Sequence, residues 1–174
     1  MITDPVQLRM LAVAKAAENL DFQRFVRHHH GSDHLFREIA EEVEDGINCL
    51  ECGACCRETY VDVTPAEMEA IAGHLGTSVE NANHQYTMID PADRHVVLRH
   101  TGGGCTFQDG NLCMIYEVRP GPCRHFPHID NSSHTLGSRM ESVTRRTGYC
   151  PIVYNALEQY KRRLGYHYHP HVAQ

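Results

Sequence analysis

Several features that would settle the class of a protein at once are missing from this 174-residue chain. No apolar run approaches the roughly 18 residues that a helix needs to cross a bilayer. The opening MITDPVQLRM has no basic stretch followed by an apolar one and a small-residue cleavage site, so it does not read as a leader. The expectation is a cytoplasmic chain with no membrane partner. Basic residues are scattered rather than striped and the formal net charge is −6, which argues against nucleic acid as a partner. Internal repeats, low-complexity segments and a domain linker are absent. So are a nucleophile elbow, a phosphate-cradling glycine loop and a paired-carboxylate site; Gly102, Gly103 and Gly104 alone do not make one. Catalytic residues therefore stay unassigned.

What the chain has instead is cysteine, eight of them. A chain of this length buries a core without staples. In a reducing compartment dense cysteine means metal or redox chemistry rather than a disulfide framework. Cys55 and Cys56 are neighbours, and adjacent residues rarely reach the geometry of an unstrained bridge.

The elements follow from local signals. Residues 4–27 read as helix, with Asp4 as cap, Pro5 at the first position, Gln7 at capping-box spacing and Leu8, Leu11, Ala12 and Ala16 as a stripe, broken near 19–21. Ser32 or Asp33 opens a second helix, with Leu35, Phe36, Ile39 and Val43 inward, ended by Gly46. TYVDV (59–63) alternates as a strand. Thr64, Pro65 and Glu67 then start a helix whose stripe is Met68, Ile71 and Leu75 and whose stop is Gly76. Residues 77–94 read as loop, HVVLRH (95–100) as strand, and the glycines at 102–104 as backbone freed for close approach to a bulky ligand. CTFQDGNLC (105–113) reads as a hairpin around Asp109, Gly110 and Asn111. A three-residue loop would put Cys105 and Cys113 on one face and a two-residue loop would split them, so shared ligation requires the former. Residues 114–128 suggest one helical turn, and a last helix runs from Pro151 to about Leu164 with Ile152, Val153, Ala156, Leu157 and Tyr160 on one side.

The sulfurs fall into two groups: Cys49, Cys52, Cys55 and Cys56, then Cys105, Cys113, Cys123 and Cys150. Thiolates are soft ligands for zinc and for iron–sulfur clusters. The C-x2-C-x2-C run of Cys49, Cys52 and Cys55 resembles the bacterial four-iron pattern, and Cys150-Pro151 resembles its closing Cys-Pro. A zinc ribbon would show a second C-x2-C knuckle, which the later group lacks. Eight sulfurs allow two four-thiolate sites, or one site with spare thiols. Consecutive side chains do not converge easily on one site, so Cys56 is expected to serve a second metal or to be a free thiol. Arg57, Arg119 and Arg124 sit beside the sulfurs, where they could offset thiolate charge; pairing with surface carboxylates is the alternative.

CLECGACCR, CTFQDGNLCMIYEVRPGPCRHFP and GYCP together resemble the YkgJ-type cysteine-cluster family, also described as the CxxCxxCC or zinc- or iron-chelating domain. The shared residues are Cys49, Cys52, Cys55, Cys56, Cys105, Cys113, Ile115, Tyr116, Arg119, Pro120, Cys123, Arg124, Phe126 and Pro127. The resemblance covers about 47–157 and implies metal or cluster binding. The cysteine domain is also similar to part of the larger flagellin lysine methylases. Nothing here matches a methyltransferase cofactor motif, so that activity is not carried over.

Histidines elsewhere weigh less. His28, His29, His30 and His34, and the tail histidines His167, His169 and His171, read as surface; His125 and His128 follow Cys123 and could pack or hydrogen-bond near the site. Tyr116 reads as an anchor whose ring packs beside the site and whose hydroxyl finds a partner. The expected architecture is α+β: a helical extension (1–46), a metal-organised domain (47–164) with a short hairpin, and a His-rich tail (165–174). The expected function is an iron–sulfur protein, with a four-iron cluster on Cys49, Cys52, Cys55 and a remote cysteine, serving redox or electron transfer with an unknown redox or protein partner. A zinc-binding structural domain is the rival, and a metal-dependent group-transfer enzyme the third possibility.

Overall fold

The computed structural model describes residues 1–29, 31–129 and 134–170. His30 and His171, singled out above, lie outside these. In chain order the helices are α1 (Pro5–Ala14), α2 (Ala16–His28), α3 (Asp33–Glu44), α4 (Cys49–Cys52), α5 (Ala54–Glu58), α6 (Pro65–Leu75) and α7 (Val79–Tyr86). Six short strands follow: β1 (Thr87–Ile89), β2 (Val96–Leu98), β3 (His100–Thr101), β4 (Gly104–Cys105), β5 (Gln108–Asp109) and β6 (Leu112–Cys113). A 3-10 turn at Tyr116–Val118 leads to α8 (Gly121–Arg124), α9 (Leu136–Arg146) and α10 (Pro151–Arg163). The fold is α+β, as expected. It forms two compact units, Met1–Asn48 with Pro127–Gln174, and Cys49–Phe126. The first 46 residues are therefore not a separate extension: they pack with the C-terminal helices.

In the helical unit Asp4 caps α1 by accepting from the Val6 and Gln7 amides, and Ser32 caps α3 by accepting from Leu35. The break between α1 and α2 falls at Lys15, whose φ of −97° and ψ of 9° leave the helix, and not at 19–21. Asn19 stays inside α2 because its amide oxygen accepts from the buried Lys161 ammonium at 2.6 Å. Lys161 also meets Glu18 at 2.7 Å and Glu158 at 2.8 Å, so its buried charge is answered on three sides. Phe22 and Phe36 each meet Tyr160 edge-on, at 5.9 and 5.3 Å, among the buried Leu8, Ile39, Met140 and Leu157. The expected inward face of α10 is buried throughout. Helix α9, for which no expectation was formed, is amphipathic through Leu136, Met140 and Val143 and is capped by Thr135. The tail is not wholly surface: the Tyr166 ring lies 4.7 Å from Phe22, and its hydroxyl donates to Asp21.

In the cysteine unit α6 forms as its residues dictate. Thr64 and Glu67 complete a capping box, Pro65 takes the first turn and Gly76 ends the helix in the left-handed region. Most of residues 77–94 is not loop: Ser78 caps α7, and β1 pairs antiparallel with β2, Met88 opposite Val97; 90–94 run as turn and irregular backbone. The Ser78 cap was the available signal; the weak apolar period of VENANHQY, with Ala82 alone buried, concealed it. TYVDV is extended and meets β2 at a single bridge, Asp62 opposite Val97, with the Leu98 amide donating to Val61 and the Val63 amide to Val96. Residues 114–128 hold two short helical turns instead of one. The core is Val61, Val63, Met68, Ile71, Ala72, Ala82, Leu98, Phe107 and Ile115.

Candidate metal centre

All eight cysteines are free thiols. Seven belong to the cysteine unit, and Cys105, Cys113 and Cys123 pack half-buried against its core cluster. They arrive from β4, β6 and α8. Cys56, from α5, is linked to them electrostatically: its charge acts on all three, and those of Cys105 and Cys113 also act on Cys123. Burial is the first cause that raises the Cys105 thiol to about 11 and the Cys123 thiol to about 12, and these neighbouring charges add to it. Cys56 goes the other way, down to about 7, because Cys55 donates to its sulfur and Arg57 and Arg119 offset its charge against the opposing effect of burial. One sulfur of the group is thus ready as a thiolate near neutral pH while three hold their protons until a cation displaces them.

The hairpin that supplies Cys113 has the two-residue loop. Gln108 pairs with Cys113 and Asp109 with Leu112, leaving Gly110 and Asn111 at the turn. The expectation that this would separate Cys105 from Cys113 fails because the two are not on one strand. Cys105 belongs to the preceding hairpin, opposite His100. A turn at Thr106 and Phe107 re-aims the chain between them, so strand parity does not carry across.

Gly104 allows these pieces to close. Its φ is 152°, and a Cβ there would stand 3.0 Å from the Cys56 carbonyl oxygen and 3.2 Å from the Arg57 Cα. The close approach read into the glycine run is therefore one of backbone to backbone, β4 against α5. Gly53, at φ 55°, similarly turns the chain between α4 and α5, where a Cβ would stand 3.0 Å from the Asn111 Cα. Glu67 positions α8 across a separation of 54 residues by accepting from the Gly121 amide at 2.7 Å. Its role at α6 was legible as a cap; its hold on the segment that carries Cys123 was not.

The other predicted residues divide. Cys49 is exposed, and Cys52 and Cys55 are half-buried on the adjoining turns. Cys150 belongs to the helical unit, buried at the start of α10. Arg119 lies 3.8 Å over the Tyr116 ring and its charge acts on Cys56, Cys113 and Cys123. Tyr116 is 38% exposed, so it supports Arg119 more than it packs inward. Arg124 donates to the Arg119 carbonyl, and its charge acts on Glu67. His125 approaches the Gly121 carbonyl oxygen through Nδ1, and His128 takes a positive φ of 60°. His28, His29, His34, His167 and His169 are exposed. Among the described residues, no three His, Cys, Asp or Glu side chains are drawn together closely enough to hold one ion as they stand.

A small irregular unit closed around half-buried thiols and two arginines defines a class of protein, the cysteine-rich metal binders. The family comparison agrees. Residues 48–151 match the model described as "CxxCxxCC: Putative zinc- or iron-chelating domain", and the chain belongs to that family. No curated protein and no solved structure matches it. Among the described residues no helix is long and apolar enough to cross a membrane.

Proposed function

We propose that the chain is an iron–sulfur protein whose cluster is held in the cysteine unit by Cys56, Cys105, Cys113 and Cys123, and that it serves electron transfer or redox chemistry with a protein partner. The observation that carries this reading is an all-sulfur set from four separate elements, in which the charge of Cys56 acts on Cys105, Cys113 and Cys123 and those of Arg57 and Arg119 act on Cys56. Four thiolates on iron or zinc leave net negative charge, and these two cations offset it; in a cluster, nearby positive charge also raises the reduction potential. The donor set fits a soft metal, since it is sulfur throughout. The C-x2-C-x2-C run of Cys49, Cys52 and Cys55 beside this set, and the lack of a second C-x2-C knuckle, support a cluster over a zinc ribbon. Cys49, Cys52 and Cys55 are then either ligands of a second centre or thiols poised beside the first.

When bound, such a cluster supplies one-electron chemistry. The protein's own part is to half-bury three thiols against the core cluster, to lower the Cys56 thiol toward neutral pH and to hold α8 in place through Glu67. A zinc-binding structural domain is the second reading, favoured by the same four-thiol set. An anaerobic visible spectrum separates the two. A cluster gives a brown protein with absorption near about 400 nm that dithionite bleaches. A colourless sample with stoichiometric zinc overturns the redox reading.

A further inference from the structure

Beside Cys105 lies a solvent-open pocket of about 260 Å³, lined by the exposed Arg57 and Thr101, by Thr106, Gln108 and Cys105, and by the glycines at 103, 104 and 110. No carboxylate lines it. Arg57 is fixed in place without being neutralised. It donates to the Cys52 carbonyl oxygen at 2.7 Å and to the Asn111 side-chain oxygen at 3.2 Å, while Asn111 itself donates to the Glu51 carbonyl oxygen at 2.7 Å. These partners are uncharged, and among the described residues no carboxylate pairs with Arg57. A guanidinium carries five N–H donors, so some remain for a ligand. The hydroxyls of Thr101 and Thr106 have no hydrogen-bond partner among the described residues. A pre-organised, unneutralised guanidinium beside two uncommitted hydroxyls is the donor arrangement that recognises a planar or tetrahedral oxyanion.

We propose that this cavity binds a small oxyanion, the carboxylate or phosphate group of a low-molecular-weight ligand, against Arg57, Thr101 and Thr106 and in contact with Cys105. The site deepens the proposed function, since Cys105 is one of the four proposed thiol ligands and a ligand seated there touches the metal centre. It does not depend on which metal that centre holds. Arg57 then has two tasks, offsetting thiolate charge on one side and receiving the ligand on the other. Its hold on Cys52 and Asn111 keeps it in position for both.

The test is an amide and arginine side-chain NMR titration of the full chain with inorganic phosphate and, separately, with succinate, on the metal-free and the metal-loaded protein. Metal content is measured on the same samples. Saturable shifts confined to Gly103, Gly104, Thr106 and the Arg57 side chain are expected. Affinity should fall about tenfold in Arg57→Gln, the loss of one charge-assisted contact. The Thr101→Val/Thr106→Val double variant, which leaves the guanidinium in place, should lose several-fold and keeps the proposal testable if Arg57→Gln fails to fold. Response to phosphate alone or to succinate alone identifies which oxyanion the cavity takes. Shifts that are linear with anion concentration, spread over the surface, or unchanged in the variants overturn the site. Saturable anion binding in a protein that takes up no metal would overturn the metal reading and leave this one standing; metal uptake without saturable binding would do the reverse.

Discussion

Replacing Glu67 with alanine should loosen the metal centre from a distance. Its carboxylate accepts from the Thr64 amide at 2.8 Å, the Thr64 hydroxyl at 2.9 Å and the Gly121 amide at 2.7 Å. Loss of the carboxylate's half of the capping box costs about 0.5 kcal/mol, since the Thr64 hydroxyl still accepts from the amide of residue 67. Loss of a hydrogen bond from a backbone amide to a charged acceptor costs about 1.5 kcal/mol or more, discounted here because Glu67 is only half-buried. Glu67→Ala should therefore lose about 2 kcal/mol in urea unfolding at pH 7, and Glu67→Gln, which keeps an acceptor, about half that. Burial alone would raise the Glu67 carboxyl; the bonds from Gly121 and Thr64 and the charge of Arg124 overcome it and hold the group below its ordinary value. A depressed folded value means that this stability is present above the unfolded value, about 4.3, and is lost as pH falls through the folded one. The gap between wild type and Glu67→Ala should accordingly close on acidification below about pH 4. Because Gly121 opens α8, metal-free Glu67→Ala should also alkylate faster at Cys123 with iodoacetamide, read by peptide mass mapping. A loss under about 0.5 kcal/mol, or unchanged alkylation at Cys123, would refute the argument that Glu67 holds α8.

Three further outcomes follow from the packing and the thiols. Lys161→Ala leaves Glu18 and Glu158 facing a hole where a cation stood, and should cost about 3 kcal/mol in thermal or urea unfolding. Gly104→Ala forces a Cβ against the Cys56 and Arg57 backbone, so metal content per chain should fall even where the variant remains folded by circular dichroism. Cys56→Ser should lower metal content at least as much as Cys105→Ser does, since Cys56 is the sulfur whose charge acts on the other three; equal content in Cys56→Ser and wild type would remove it from the proposed centre.

Much of the fold was legible because local chemistry agreed with tertiary structure. Thr64, Pro65, Glu67 and Gly76 define α6 almost without help, and the stripe from Ile152 to Tyr160 marks α10. Where the reading failed, a distant group decided the outcome. Asn19 looks like a helix breaker but is held in α2 by Lys161, 142 residues away. The site divides in the same way. The cysteines and Arg119 were readable as a set, but their grouping was not, because the Cys55 thiol turns to its chain neighbour Cys56 and Cys105 is re-aimed by a turn. The glycine run 102–104 was read as backbone freed for a ligand; what Gly104 itself admits in the fold is the α5 backbone, a contact between distant segments that spacing does not reveal. Arg57 was read as a charge beside sulfur, while its fixed position through Asn111 depends on a hairpin loop whose length spacing alone left open.

The central claim is that this unit holds a cluster rather than a lone ion. Its most direct test is the iron, zinc and acid-labile sulfide content per polypeptide after anaerobic purification. The account predicts iron and sulfide in equal amounts, with both lost in Cys105→Ser and Cys123→Ser. One zinc per chain without sulfide, or iron and sulfide undiminished in both variants, would contradict it.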